Sequence, residues 1–393
     1  MSMNVKTGGG SHRNCLSMMR YLIKQGHQVS LHVLFSLHND LPSDIKTTVY
    51  KAEQYGFLAF ESFLANLLSK LESKADIFFL YGQFLIFGGG LYRGNAHSKV
   101  PVVAYLDNYL DSMRYKTRNL AESTGNFLTF IDESFYTLKR VIYDKVIGIN
   151  KARNIDSFLA VSPFVRNLYI RFGFPREKFK IVPNFFNPVL KHNKAKDETS
   201  CVRFLYVGQL SYDKGVDVFL KALARLPTEA HWEARIVGSG RYEKMLKNIT
   251  QKLGIHNRVF YIPWLPENEL ADEYASASVL IHPARWSEPF GRTIVEAMQQ
   301  GIPVVVPEKG GSVWVAGNAG LSFKNGSVTS LHSVLLRFLN DSSLRQSLAI
   351  NTSARAEEFE ISQQGSEFEK VFINIIESIK PPMVESSSLK NNK

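Results

Sequence analysis

Two carboxylates in the second half of this chain are spaced to act on one ligand. Glu288 and Glu296 frame the segment Ser287-Glu288-Pro289-Phe290-Gly291-Arg292-Thr293-Ile294-Val295-Glu296-Ala297-Met298, with seven residues between them. Val279-Leu280-Ile281-His282-Pro283 reads as a strand before them, and Gly301-Ile302-Pro303-Val304-Val305-Val306 as a buried parallel strand after them. That order puts Glu288 in a strand-to-helix loop and Glu296 about two turns into the helix. Phe290-Gly291 opens the helix, so its free N–H groups point back towards the strand ends. A helix N-terminus at the carboxyl edge of a parallel sheet is where α/β proteins hold phosphates and sugars. Two glutamates alone would favour a chance pair of carboxylates on an ordinary βαβ unit.

The unit as a whole resembles the donor site of the retaining glycosyltransferases of family 4, which have the two-domain GT-B fold. Their signature is Glu, seven residues, Glu, then Ala-Met, a Gly-x-Pro-Val strand and a Gly-Gly turn, here Gly310-Gly311. The resemblance covers residues 8–380 and is strongest over 201–315. It implies an α/β protein of two doubly wound Rossmann-like domains facing a central cleft. The implied reaction moves a sugar, with retention, from a nucleotide-diphosphate sugar to an acceptor hydroxyl on a glycan, a lipid-linked molecule or a small molecule. By the same resemblance Glu288 holds donor-sugar hydroxyls or steadies charge at the anomeric side. Glu296 binds the ribose hydroxyls, and Lys214 with the Phe290-Gly291 backbone holds the diphosphate. Arg292 and Thr293 fall in the same donor-binding stretch. No cofactor is implied beyond the nucleotide sugar as co-substrate. No metal is implied either: a cation and a helix dipole do its work, and no Asp-x-Asp motif stands where a nucleotide site would use one.

Further donor elements lie upstream. Phe204-Leu205-Tyr206-Val207-Gly208-Gln209-Leu210-Ser211-Tyr212-Asp213-Lys214-Gly215 runs from strand through loop to helix. The family carries an Arg just after this Gly and a Lys five residues later, and both grip the donor diphosphate. Lys214 matches the Lys; Gln209 stands where the Arg is usual. Charge grows on the leaving diphosphate in the transition state, so a cation there is stabilising, whereas Gln209 offers only a neutral hydrogen bond. Lys214 also reads as an exposed lysine at a helix start. Ile236-Val237-Gly238-Ser239-Gly240 matches the family's Gly-x-Gly strand end and is also a common tight turn. In relatives the backbone near Trp264 and Leu265 meets the nucleobase.

The first half departs further from the pattern. Gly8-Gly9-Gly10 before a helix resembles the family's cleft loop, where backbone approaches donor sugar and phosphate because no Cβ intervenes. Gly9 and Gly10 are therefore candidates for donor contact. The family has a strand before this loop, and Met1 to Thr7 is too short and too polar to supply it. The expectation is a natural start further upstream. In Val102-Val103-Ala104-Tyr105-Leu106-Asp107, Leu106 occupies the place of a His that many relatives use at the reacting face. Asp107 ends the strand and reads either as a catalytic group at the cleft or as a turn residue.

Organisation follows from composition shifts. Residues 1–190 form an acceptor-side domain, a polar linker spans 191–200, and 201–353 form the nucleotide-sugar domain. The α/β rhythm after residue 201 is regular, with strands at 203–207, 232–237, 258–262, 279–283 and 304–306. Ala354 to Ile379 reads as one helix, which by resemblance crosses back to the first domain; 381–393 reads as a disordered tail. The longest apolar run, Ile77 to Leu91, reads as a strand leading into a glycine-rich loop at Gly88-Gly90 and is too short to span a bilayer. Between Tyr109 and Ile155, Phe127, Ile131, Phe135, Leu138, Ile142, Val146 and Ile149 recur on one helical face. Lys139, Arg140, Lys145, Lys151 and Arg153 lie nearby. Such a helix suits either an interfacial membrane contact or packing on its own domain.

Charge and cysteine usage narrow the setting. Residues 1–200 hold 26 Lys and Arg against 16 Asp and Glu, ten of the chain's net +11. This surplus suits an anionic membrane surface, an anionic substrate or a solvated basic face. No RNA-binding signature or basic helix-turn-helix accompanies it, which argues against nucleic acid. Two cysteines, Cys15 and Cys201, make no disulfide framework, and no apolar leader is present, so a reducing, cytoplasmic setting is expected. Membrane association would be peripheral, at the cytoplasmic face. Two rival functions remain: a degenerate GT-B protein serving as a binding or partner subunit, and a GT-B epimerase or hydrolase of nucleotide sugars.

Overall fold

The computed structural model describes residues 10–35, 41–109, 143, 147–188 and 201–379. The second half is one parallel sheet. Its strands are β7 (Val202–Val207), β8 (Trp232–Val237), β9 (Val259–Ile262), β10 (Val279–Ile281), β11 (Val304–Pro307) and β12 (Gly320–Phe323). Across the sheet they run β9-β8-β7-β10-β11-β12, and every adjacent pair is parallel. The sequence dictates this burial: Val279-Leu280-Ile281 and Val304-Val305-Val306 are apolar on both faces, as a sheet covered by helices on both sides requires. The strand order reverses between β7 and β10, so a crevice opens beyond their carboxyl ends.

In the first half, β3 (Phe78–Tyr81), β4 (Val102–Leu106), β5 (Ser157–Ala160) and β6 (Phe179–Ile181) form a second parallel sheet. β1 (Ser30–Val33) and β2 (Lys46–Val49) make a separate parallel pair. Among the described residues no strand joins β1 to β3 by hydrogen bonds. Gly9 and the residues before it lie outside the described residues, as do Phe127 to Ile142, Val146, Lys139, Arg140, Lys145 and the tail. Of the basic residues near that apolar face, Lys151 pairs with Glu61 at 2.9 Å and Arg153 donates to the Gly173 carbonyl at 2.9 Å.

Two expectations are corrected. Gly88-Gly90 is not a loop: Ile86–Arg93 is a helix, and its glycines are contact points. A Cβ on Gly89 would lie 2.2 Å from Leu80 Cδ1, and one on Gly90 2.2 Å from the Lys151 carbonyl oxygen. Missing side chains let this helix sit directly on β3 and on Ile149–Ala152, a gain that outweighs the poor helix propensity of glycine. Likewise Ala354 to Ile379 is not one helix. Ser342–Glu357 ends and Ile361–Ile379 begins around Phe359-Glu360, which pairs in extended form with Phe186. Phe186 N donates to Phe359 O at 3.1 Å and Ile361 N to Phe186 O at 2.9 Å, so these groups cannot also serve a continuous helix. Ile361–Ile379 then lies on the first half, with Phe368 and Phe372 edge-on to Phe79 of β3 and Glu369 2.7 Å from His27.

Candidate active site

The two sheets face each other across a cleft of about 730 Å³ at the reversal point of the second sheet. One wall begins with the turn after β7. Tyr206 OH donates to the Gln209 carbonyl at 2.8 Å, shaping a turn in which the Gln209 side chain is exposed on the cleft. Lys214 follows in a single helical turn, Tyr212–Lys214. That turn is anchored to the loop after β10. Arg285 forks onto Asp217, with its Nη2 2.6 Å from Oδ2, stacks on the Tyr212 ring at 4.2 Å, and donates its backbone N–H to Asp213 O at 2.8 Å. Burial alone would raise the Asp217 carboxyl, but the Arg285 guanidinium holds it low.

Anchoring brings Lys214 to Glu288. Lys214 Nζ donates to Glu288 Oε2 at 2.7 Å, and Trp286 Nε1 donates to the same oxygen at 2.8 Å. His282 Nε2, buried one residue beyond β10, stands 3.6 Å away and has no hydrogen-bond partner among the described residues. Burial by itself would push the Glu288 carboxyl up. The Lys214 ammonium and His282 more than offset this and hold it at about 2. Lys214 is likewise half-buried, yet Glu288 and Asp213 raise its affinity for the proton above the ordinary lysine value. Both members of the pair are therefore charged at neutral pH. Lys214 also lies over the Trp286 ring at 5.2 Å.

The loop carrying Glu288 is held from two sides. Gly311 N donates to Glu288 O at 2.6 Å, and a Cβ on Gly311 would lie 1.8 Å from Pro289 O, so the Gly-Gly turn allows this contact. From the opposite domain, Ser162 Oγ donates to Pro289 O at 2.6 Å. The helix Arg292–Gln299 starts from Gly291, at φ 98°, and buries Ile294, Val295, Ala297 and Met298. Its outer edge presents Arg292, Thr293 and Glu296 to the cleft. Tyr274 OH donates to Glu296 Oε2 at 3.0 Å. Phe290 borders the cleft, but its ring is core, stacked on Phe186 at 6.3 Å and edge-on to Phe359 at 5.4 Å.

The facing wall comes from the first domain. Gly10, Ser11 and Arg13 lie at the start of the helix Gly10–Lys24, and Asp107 and Asn108 follow β4. Ser11 Oγ donates to Asp107 Oδ2, so Asp107 faces the cleft. Leu106 points the other way and is wholly buried. Behind this wall Tyr81 and Tyr105, register partners on β3 and β4, stack at 4.9 Å. Asn14 Nδ2 donates to both hydroxyls, at 3.1 and 3.3 Å, and Asn14 Oδ1 accepts from Phe185 N at 2.7 Å. Burial pushes both phenols well above the usual tyrosine value, so they remain neutral donors.

Most sequence candidates meet here: Glu288, Lys214, Asp107, Gly10, Gly208, Gln209, Trp264, Phe290, Gly291, Arg292, Thr293 and Glu296 all border the cleft. Two do not. Gly238, at φ 142°, serves the packing of strand ends: a Cβ there would lie 2.0 Å from Gly208 O. Leu265 packs against the core, while Trp264 beside it is about half exposed on the cleft rim. Arg13, Asn184, His282 and Trp286 were missed as site residues. For His282 a signal existed, a polar residue directly after a buried strand at the sheet's carboxyl edge.

Comparison with known proteins agrees with this fold. The family model Glycosyltransferase Family 4 matches residues 8–189, and Glycosyl transferases group 1 matches residues 191–355. An uncharacterized glycosyltransferase of Haemophilus influenzae is 25% identical over 310 residues, 77% of this chain and 78% of the relative. One from Methanocaldococcus jannaschii is 30% identical over 152 residues, 36% of this chain and 39% of the relative. The lipopolysaccharide core biosynthesis glycosyltransferase LpsE of Rhizobium meliloti is 27% identical over 50% of this chain and 58% of the relative. The chain thus spans about two fifths of the length of the first two curated relatives it matches, at 39% and 41%. Among solved structures, Anabaena Alr3699/HepE in complex with UDP superposes with a TM-score of 0.75 at 20% identity, covering 95% of this chain and 98% of that one. The lipopolysaccharide outer core galactosyltransferase WaaB gives 0.74 at 16% identity, covering 95% and 98%. The chain belongs to the family-4 glycosyltransferases of the GT-B fold.

Proposed function

We propose that this protein moves a sugar, with retention, from a nucleoside-diphosphate sugar to an acceptor hydroxyl. The observation that carries the reading is the half-buried, charged Lys214–Glu288 pair at the strand-order reversal, beside the N-terminus of the helix Arg292–Gln299. On donor binding the Lys214 ammonium meets diphosphate oxygens, and Glu288 takes up hydroxyls of the donor sugar. Glu296, one helix turn below Arg292, receives the ribose diol. The bond between the anomeric carbon and the diphosphate oxygen breaks as the bond to the acceptor oxygen forms on the same face. The acceptor proton passes to the departing phosphate, and cation and helix end stabilise its charge. These groups make the reading a metal-independent one.

Asp107 and Ser11 form the opposite wall, towards which an acceptor approaches. Structural neighbours bound to UDP and UDP-glucose favour a uridine donor. Relatives named for lipopolysaccharide biosynthesis favour a glycan or lipid-linked acceptor. With such an acceptor, the basic surplus of the first half fits a peripheral contact with an anionic membrane at the cytoplasmic face. Among the described residues no helix is long and apolar enough to cross a membrane.

The test is incubation with a panel of nucleotide sugars and candidate acceptors, with the anomeric configuration of the product read by NMR. Transfer with retained configuration is expected. An inverted product overturns the stereochemistry. Donor cleavage that no acceptor can divert indicates a hydrolase, and donor binding without any turnover indicates a non-catalytic subunit.

A further inference from the structure

Arg292 is largely enclosed between the two domains, and two of its guanidinium nitrogens are left without a hydrogen bond. Its Nε and Nη1 are inaccessible to solvent and have no hydrogen-bond partner among the described residues. The nearest carboxylate oxygen, Glu296 Oε1, is 3.8 Å from Nε, beyond hydrogen-bonding range. The guanidinium lies 4.3 Å over the Phe186 ring, and a Cβ on Gly10 would fall 2.7 Å from its Cδ. The side chain is thus fixed against the first domain while its backbone starts the helix of the second. Glu296 offsets part of the charge without a hydrogen bond, and enclosed N–H groups left without an acceptor are costly, so an anion placed here would complete them.

Other groups identify the anion. Arg13 lines the same cleft from the facing domain. Burial lowers the proton affinity of Arg292, Glu296 raises it in part, and the positive charge of Arg13 lowers it again, so the two cations repel one another across the cleft. Glu296, the ribose group of the proposed reading, adjoins them, and Lys214 stands at the Glu288 end. Gln209, which also lines the cleft, brings no charge. A diphosphate running from the ribose end to the sugar end passes Arg292 and then Lys214.

We infer that Arg292, assisted by Arg13, is the donor-diphosphate grip of this enzyme, replacing across the domain interface the cation absent at position 209. This rests on the nucleotide-sugar reading above. The planar guanidinium fork suits two phosphate oxygens, and the helix end beneath it adds its own positive field. Nucleotide affinity accordingly depends on both domains, whereas a cation at position 209 would have placed it on the second domain alone.

Calorimetric titration of the full chain with UDP, uridine and inorganic pyrophosphate tests this. Arg292→Met is expected to weaken UDP and pyrophosphate about 10- to 100-fold, to leave uridine unchanged, and to melt no lower than the parent protein without nucleotide. Arg13→Met should weaken the same two probes, and Gln209→Arg placed in the Arg292→Met background should recover most of the loss. Arg292→Lys, which keeps the charge and loses the fork, should fall between and serves if the Met variant does not fold. UDP and pyrophosphate affinities within about twofold of the parent in the Arg292 variants would overturn the grip while leaving the donor reading standing. Failure of the parent protein to bind either phosphate probe would overturn the donor reading itself. Equal losses of uridine and UDP, with a lowered melting temperature, would assign Arg292 a merely structural role.

Discussion

Replacing Lys214 by Met takes away the charge that keeps Glu288 ionised in a buried site. The Glu288 carboxyl is held at about 2, against an ordinary 4.5. That difference corresponds to about 3 kcal/mol of favourable interaction with the ionised form, net of burial. Lys214 is the largest favourable contributor and His282 the next, so removing the lysine takes away a main part of the favourable interaction while the cost of burial remains. The Met variant should therefore lose about 3 kcal/mol at neutral pH, the range seen when one partner of a buried pair is removed. Changing both partners, Lys214→Met with Glu288→Gln, should cost at least ~1 kcal/mol less than the lysine change alone, because no charge is then stranded. The sign with pH is fixed by the depressed carboxyl. Its contribution is complete above the ordinary glutamate value and is lost as pH falls from 4.5 towards about 2, so the deficit of the Met variant should shrink on acidification through that window. Urea unfolding followed by tryptophan fluorescence measures these differences, and initial transfer rates should drop ~100-fold or more. A double variant whose loss equals the sum of the two single losses would refute the pairing argument. So would a lysine deficit that does not change with pH.

Other expectations follow from individual contacts. Glu288→Gln should mainly lower turnover with nucleotide affinity nearly intact; a normal rate in a transfer assay would remove Glu288 from the chemistry. Glu296→Ala should weaken UDP by about 1.5–3 kcal/mol in calorimetry, the worth of hydrogen bonds to a charged group, and unchanged affinity would refute the ribose assignment. Gln209→Arg in the parent protein should give no gain in UDP affinity if Arg292 already supplies the charge; a clear gain would mark Gln209 as the remnant of a lost grip. Gly90→Ala should destabilise by about 1–3 kcal/mol, since its Cβ would meet the Lys151 carbonyl oxygen at 2.2 Å. A melting temperature unchanged by that substitution would show that the helix can shift at no cost.

Most of the second domain was readable because β10 and β11 are continuous apolar runs, β7 to β9 are largely apolar, and its functional groups sit in short loops directly after strands. Glu288, Glu296 and Lys214 could be placed from chain order alone, since a parallel sheet puts every such loop at one edge. β2 and β12 escaped because Lys46-Thr47-Thr48-Val49 and Gly320-Leu321-Ser322-Phe323 are short and partly polar, and become strands only beside a partner. Gly88 to Gly90 misled because glycine marks loops by local preference, whereas here tertiary closeness selects it. Gly238 bore a ligand motif but serves strand packing. Arg13 and Ser162 lie far in sequence from the residues they face, and no local pattern announces a contact made across two domains.

The chain crosses between its halves at two places that touch. Phe186, just before the linker, and Glu360, between the last two helices, pair as neighbouring extended segments through hydrogen bonds of 3.1 and 2.9 Å. The segments beside the two crossings therefore lie next to each other, as two hinge pins share one line of a door. Swinging one half about the line through Phe186 and Glu360 leaves these bonds intact, whereas sliding the halves past each other would shear them. Such a swing is small at Phe186, grows with distance from it, and has to release the Ser162 Oγ–Pro289 O hydrogen bond between the halves. Ser11 and Asp107 on one leaf, and Trp264 on the other, travel with that swing, so the span available to an acceptor is set by an angle and not by a translation.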